Sequence, residues 1–320
     1  MIGEQKEGRV ALNMETAIWG AGSIGLLWGA RLALAGDNPV IITRTEAQKE
    51  RLLQAGLRFQ NRSADIEKVN LRAQWAEEVT GSFDRIILTV KQTAVALLVP
   101  RLIEQCHQGA MLYLFQNGMG TERLLLEDIP NCRLWRGTIT EGALRENDIS
   151  VIHTGEGETY LGPLLENTEV DAKELDWIEG LKNKGLPVAY DPQVSLRTWR
   201  KLAINCVINP LTALFQVTNG ELLRLKIFPT WVERILSEVV KTASHVGVDL
   251  DYHQLVVQVR HVCEQTGSNR SSMYEDLRQG QPTEIDFING YIVYIGRENG
   301  VQTPWNQYLH ERVRLAEKEV

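Results

Sequence analysis

The chain has no run of about 18 apolar residues able to span a bilayer, and it has no excess of positive charge. Its formal net charge is -7 at pH 7. General binding to nucleic acid or to an anionic membrane surface calls for a basic face, so both classes are set aside. Any anionic ligand must be met by a local cluster of cations and amides on an acidic background. Cysteine is scarce: Cys106, Cys132, Cys206 and Cys263 are far apart and form no Cys-x-x-Cys pair. In 320 residues that pattern reads as free thiols in a reducing compartment, not as a disulfide framework. Residues 1–15 mix Lys and Arg with Glu and lack the apolar core of a secretory signal, so a cytoplasmic address is expected. The six histidines show no His-Glu-x-x-His spacing, and no Gly-x-Ser-x-Gly elbow occurs. Internal repeats, low-complexity tracts and charge blocks are absent too.

What is present is an ordinary globular composition, 43% hydrophobic and 23% charged, long enough to suggest two domains. The first half alternates β-rich runs with helical ones. Thr16–Trp19 runs into a glycine turn, Ile24–Ala35 is helical and stops at Gly36, and Val40–Thr43 is a strand after Asp37-Asn38-Pro39. Phe83–Val90 reads as a strand followed by a helix to about Gln105, and Ala110–Phe115 as another strand closed by Asn117-Gly118. This alternation predicts a parallel, doubly wound sheet. Residues 137–162 read as a few more strands with turns. Beyond Pro187–Pro192 the segments Leu196–Ala213, Trp231–Val246 and Tyr252–Glu264 carry helical periodicity without strand signals. The expectation is two domains, 1–191 and 192–320.

The turn Gly20-Ala21-Gly22-Ser23-Ile24-Gly25 joins the first strand to the first helix. In that context Gly20 makes the tight turn, Gly22 lets backbone approach a pyrophosphate, and Gly25 lets helix and strand pack closely. The helix N-terminus adds amide donors and positive dipole. The next strand ends in Thr43-Arg44-Thr45, without the acid that binds an NAD ribose. Arg44 can instead pair with a 2'-phosphate, which favours NADP over NAD; alone it also reads as a solvated loop arginine. Lys91 and Asn117 follow two further strands. Each has a bland reading, surface lysine and turn asparagine. Yet Gly22, Arg44, Lys91 and Asn117 stand at four strand ends, which in such a sheet share one crevice.

In the helical half Lys201, Asn205 and Asn209 lie four residues apart, in one polar stripe on an otherwise apolar helix. Buried without partners they would cost ~1–3 kcal/mol each. Lys201 reads equally as a snorkelling lysine, and Asn209 as the cap of a new helix with Pro210 at its first position. Ser272 with Glu275 fits a capping box, and Glu284 suits a first helical turn.

At these residues the sequence resembles the ketopantoate reductase (2-dehydropantoate 2-reductase) family. The matches are the glycine turn, Val90-Lys91, Gln116–Gly120, Lys201–Ala213, Ser271-Ser272-Met273 and Glu284–Gly290, in the family's order over most of the chain. The resemblance implies an α/β N-terminal Rossmann-type dinucleotide-binding domain, an all-α C-terminal domain and a cleft between them. It implies Lys201 as general acid, Asn117 on the nicotinamide side and Lys91 as the active-site lysine after the strand. Asn205, Asn209, Ser272 and Glu284 match its substrate-binding positions, and Asn219 and Asn269 match less closely. One departure is Gln92-Thr93-Ala94-Val95, where the family often has an aromatic residue and a glutamine. The function so implied is NADPH-dependent reduction of ketopantoate to (R)-pantoate, in pantothenate and coenzyme A synthesis, with Glu284 beside Lys201. A reductase of another 2-keto acid, such as a D-2-hydroxy acid dehydrogenase, is the neighbouring reading, and a non-catalytic dinucleotide sensor the distant one. A small 2-keto acid is the expected partner; a homodimer is left open.

Overall fold

The computed structural model describes residues 14–165 and 168–319. The N-terminal stretch read above as lacking a secretory core lies, up to residue 13, outside them. β1 (Thr16–Trp19) leads through the glycine turn into α1 (Ser23–Leu34) and β2 (Val40–Thr43). Then come α2 (Glu46–Ala55), three short strands β3 (Leu57–Gln60), β4 (Ile66–Val69) and β5 (Arg72–Trp75), and β6 (Phe83–Leu88). α3 (Gln92–Gln105), β7 (Cys106–Leu114), α4 (Thr121–Asp128) and β8 (Arg133–Ile139) continue the alternation. β9 (Gly142–Asn147), β10 (Ser150–Gly155), β11 (Thr159–Pro163), α5 (Ala172–Asn183) and β12 (Val188–Tyr190) complete the sheet-bearing part. The rest is helical: α6 (Val194–Phe215), α7 (Asn219–Leu222), α8 (Phe228–His245), α9 (Tyr252–Gln265), α10 (Ser272–Arg278), a 3₁₀ turn Ile285–Phe287, α11 (Asn289–Glu298) and α12 (Pro304–Glu319).

The main sheet has the order β12-β11-β8-β7-β6-β1-β2-β5. All neighbours from β5 to β8 are parallel, and β11 is antiparallel to β8. The chain leaves β1 toward β2 on one side and returns through β6 on the other. A crevice for a ligand therefore opens at the carboxyl ends of β1 and β6. A second sheet, β4-β3-β10-β9, was not foreseen over residues 57–69. Its strands are short, and Ile66-Glu67-Lys68-Val69 is exposed except at Val69, so little apolar alternation marks it. α3 runs directly into β7, which begins four residues before the predicted Ala110, because His107, Gln108 and Gly109 are polar or flexible and exposed.

α6 is the axis of the helical half, with thirteen of its residues buried. It runs unbroken through Pro210, so Asn209 caps no new helix. Proline removes the N–H that would bond the Cys206 carbonyl and normally costs about 3 kcal/mol. Here Asn289 Nδ2 donates to that carbonyl at 3.0 Å and to Asn306 Oδ1 at 2.9 Å, replacing the lost bond from a neighbouring helix. All four cysteines are free thiols. Among the described residues no helix is long and apolar enough to cross a membrane.

Candidate active site

At the first strand end, the glycines differ in what surrounds them. Gly20 has φ +119°, and its amide donates to the Ile42 carbonyl at 3.1 Å. Thr89 Oγ1, just after β6, donates to the Gly20 carbonyl at 2.7 Å and locks the turn. A Cβ on Gly25 would lie 1.8 Å from the Gly20 carbonyl oxygen, whereas a Cβ on Gly22 would meet nothing within 4 Å. Gly22 is also the N-cap of α1, with no side chain bonding the first amides. The turn is fixed on its inner side and open on its outer one. Ala21 is buried, and its carbonyl accepts from Gln48 Nε2 at 3.1 Å; Gln48 Nε2 also donates to the Asp148 carbonyl at 3.0 Å. Ser23 Oγ accepts from the Arg145 amide at 3.1 Å, and Ile24 packs against the sheet's core. At the end of β2 the Arg44 carbonyl accepts from Trp75 Nε1 at 3.2 Å, while the exposed guanidinium has no hydrogen bond or ion pair among the described residues.

The other two strand ends are stitched to the helical half. Lys91 Nζ lies 2.7 Å from Asp276 Oδ1 and donates to the Pro282 carbonyl at 2.8 Å. The next amide, Gln92 N, donates to Glu284 Oε1 at 2.9 Å. After β7, Gly118 (φ +79°) brings the chain so close to Phe287 that a Cβ would stand 2.4 Å from its carbonyl oxygen. That oxygen accepts from the Met119 amide at 2.8 Å. The turn thus aims Asn117 at α6, where its Oδ1 accepts from Lys201 Nζ at 2.6 Å.

Lys201 does not snorkel. It lies inside a small polar cavity of about 10 Å³, shared with Asn117, Asn205, Thr138, Thr198 and Arg136, with room for about one water. Burial pulls the Lys201 ammonium down to about 8, against the pull of Glu284; Arg136 lowers it further. Burial pushes Glu284 up to about 7, opposed by the Gln92 amide and then by Lys91. A lysine and a carboxylate whose proton affinities are drawn toward each other near neutrality can exchange protons with a ligand at physiological pH.

The remaining predicted positions lie outside the lining of that cavity. Asn209 is buried one turn beyond Asn205. Another turn on, Thr212 Oγ1 bonds Ser271 Oγ at 2.7 Å, joining α6 to the start of α10. Ser271, not Ser272, is the cap of α10, accepting from the Tyr274 amide at 3.1 Å; Glu275 pairs with Arg278 and closes no box. Ser272 is exposed. Asn219 and Asn269 hold each other: the Asn219 amide donates to the Asn269 carbonyl at 2.9 Å, and its Nδ2 to Thr266 Oγ1 at 2.7 Å. Neither lines the cavity at Lys201. The sequence reading passed over Arg136, Thr138, Thr198 and Asp276. The first sits in the apolar run Leu134-Trp135-Arg136-Gly137, and a lone arginine inside a strand pattern was the one available signal.

The chain matches the family model described as Ketopantoate reductase PanE/ApbA over residues 16–166, and that described as Ketopantoate reductase PanE/ApbA C terminal over residues 193–317. It is 32% identical to the 2-dehydropantoate 2-reductase of Vibrio cholerae over 310 residues, covering 95% of this chain and 98% of that one. With the 2-dehydropantoate 2-reductase of Archaeoglobus fulgidus it shares 32% identity over 94% and 97% of the two chains. Among solved structures, a PanE/ApbA family ketopantoate reductase from Ralstonia eutropha superposes with a TM-score of 0.86 at 26% identity, over 96% and 99% of the chains. A D-mandelate dehydrogenase in ternary complex with NADH and anilino(oxo)acetate gives 0.89 at 25% identity, with the same coverage. This chain belongs to the ketopantoate reductase family, oxidoreductases of the kind that reduce a 2-keto acid with a nicotinamide cofactor.

Proposed function

We propose that the protein is an NADPH-dependent 2-dehydropantoate 2-reductase, forming (R)-pantoate for pantothenate and coenzyme A synthesis. The observation that carries the reading is the Lys201 Nζ–Asn117 Oδ1 contact at 2.6 Å. It brings a cation from the helical half to a strand end of the dinucleotide-type sheet. The open face of Gly22 and the uncapped first turn of α1 fit a pyrophosphate, so Gly20, Ala21, Gly22, Ser23, Ile24 and Gly25 would hold the dinucleotide. Arg44, whose exposed guanidinium has no partner among the described residues, suits a 2'-phosphate. Lys91 and Asn117 complete that wall. When bound, the reduced cofactor supplies hydride to the C2 ketone.

The chain's own groups do the rest. Lys201, as ammonium, polarises the ketone oxygen and hands its proton to the oxygen as negative charge develops there. Asn117 orients the amine. Asn205, Asn209 and Ser272 offer donors and acceptors for the carboxylate and the distal hydroxyl, and Asn219 and Asn269 would shape the far end of the groove. Glu284 as carboxylate accepts from that hydroxyl and favours the charged lysine. A cytoplasmic setting follows from this metabolic role.

One specific observation favours a second reading, reduction of an aryl 2-keto acid to a D-2-hydroxy acid: the superposition on D-mandelate dehydrogenase. Steady-state oxidation of NADPH and NADH against ketopantoate, phenylglyoxylate, pyruvate and 2-ketoisovalerate separates the two. The highest kcat/KM for ketopantoate with NADPH is expected. A preference of tenfold or more for phenylglyoxylate, which would correspond to about 1.4 kcal/mol, replaces the first reading by the second.

A further inference from the structure

Next to Lys201 lies a second cation that the reaction as derived does not use. Arg136, on β8, is 2% exposed and pairs with Glu122 in the first turn of α4, itself 9% exposed. The other Glu122 oxygen accepts from the Gly120 amide. Beyond the ion pair through Nη2, no nitrogen of the Arg136 guanidinium has a hydrogen-bond partner among the described residues. A buried ion pair stabilises a fold little, and often less than apolar residues of the same size. Buried donors left unmade cost about 1–3 kcal/mol each. The other buried residues of β8 are Leu134, Trp135, Gly137, Thr138 and Ile139, and a buried guanidinium adds little to their packing; what sets Arg136 apart is what it faces.

It faces the cavity of Lys201: the two residues line the same water-sized space, with Asn117, Asn205, Thr138 and Thr198 between them. Two cations in one desolvated chamber repel each other far more than they would in water. Arg136 remains charged, since burial pulls it down only to about 10. The other charged groups around the lysine come from several elements. Glu284, before the 3₁₀ turn, acts on Lys201 directly and favours the ammonium. Lys91, after β6, and Asp276, on α10, pair with each other and act on Glu284 with opposite signs. Tyr291 on α11 faces Arg136, and Glu122 on α4 is the arginine's counter-charge.

We propose that the Arg136–Glu122 pair is a positioning device for proton transfer: a fixed, buried charge set across a shared cavity from Lys201, which makes the lysine a readier proton donor near neutral pH. The proposal rests on the reading of Lys201 as the general acid. Glu122 sets how much of the arginine's field reaches the lysine, so the two members of the pair act with opposite signs.

The test reads Lys201 directly and the rate separately. In protein labelled with 15N at lysine, the Lys201 resonance, identified by its loss in Lys201→Arg, is titrated while the pH profile of kcat is measured in parallel. The double variant Arg136→Met/Glu122→Gln removes both charges and leaves neither buried alone. Its Lys201 titration and the alkaline limb of kcat are both expected to move up by about one pH unit, a tenfold change in proton affinity. Glu122→Gln alone should move both downward, and Arg136→Lys should restore wild-type behaviour. If the methionine does not pack, Arg136→Gln/Glu122→Gln, whose two amides can bond each other, serves instead. A titration and a limb that match the wild type in both the double and the Glu122→Gln variants overturn the proposal and leave the role of Lys201 intact. A resonance that moves while the limb stays fixed overturns the general-acid reading, and the pair's part in proton transfer falls with it.

Discussion

The glycine turn follows β1, and the polar stripe of α6 meets Asn117 after β7 in the same parallel sheet, but the two are made site-like by different means. At residues 20–25 the work is done by backbone and by the absence of side chains. Gly20 and Gly25 are pressed against each other and against Thr89, and Gly22 presents an open face. On α6 the same job falls to side chains held where they are costly: Lys201 in a cavity, Asn205 beside it, Asn209 buried. A recognition surface for a constant ligand can be written in main-chain geometry, which few substitutions alter. A reacting surface needs groups whose protonation can be tuned, and only buried side chains supply those.

If the division of labour is right, the two walls should fail in different ways. The largest effect belongs to α6. Lys201→Ala is expected to lower kcat by about 10²–10⁴-fold with NADPH affinity unchanged, as read by cofactor fluorescence titration beside steady-state rates. Near-normal turnover would move the chemistry off the helix. On the sheet side, Arg44→Ala should weaken NADPH by about 10–100-fold, the worth of charge-assisted bonds of about 1.5–3 kcal/mol, and leave NADH almost untouched. Equal losses for both cofactors would remove the 2'-phosphate role.

Within the glycine turn the comparison can be made sharper still. Gly25→Ala forces a Cβ against the Gly20 carbonyl and should cost about 1–3 kcal/mol of stability in thermal denaturation. Gly22→Ala meets nothing in the fold and should melt like the wild type, yet bind NADPH about tenfold more weakly (about 1.4 kcal/mol). Similar melting losses for both would mean that the open face is not a ligand face. The smallest effect is one of shape. Reduction should rise through about pH 7 as Glu284 loses its proton and fall through about pH 8 as Lys201 loses its own. Glu284→Gln should flatten the acid side and, by removing the charge that favours the ammonium, move the alkaline limb downward; an acid limb that persists assigns it to another group.

Most of the sheet-bearing fold was legible in the sequence, because strands buried on both faces, such as Ile86-Ile87-Leu88, announce themselves by apolar runs. The small sheet was not, since exposed strands like β4 carry no such run. Asn209-Pro210 misled for a different reason. Local rules make it a helix start, and what overrides them is a side chain, Asn289, about 80 residues away in sequence and invisible to any local window. The candidate site divides likewise. Lys201, Asn205 and Asn209 showed as a helical stripe and Asn117 as a strand end, but nothing in the sequence placed Arg136 against the lysine. That juxtaposition depends on how β8 and α6 pack.

The contact between the Met119 amide and the Phe287 carbonyl has a further consequence when set beside the Lys91–Asp276 and Gln92–Glu284 contacts. All three fasten the ends of β6 and β7 to the helical half, while the turn at residues 20–25 and Arg44 carry no such clasp to the helical half among the described residues. The molecule resembles a vice with one jaw already set. If the proposed roles of Lys91, Asn117 and Lys201 hold, the groups around the reacting carbon are arranged during folding, and little reorganisation is left for each turnover. On the proposed function, the free jaw is the one through which the dinucleotide would come and go.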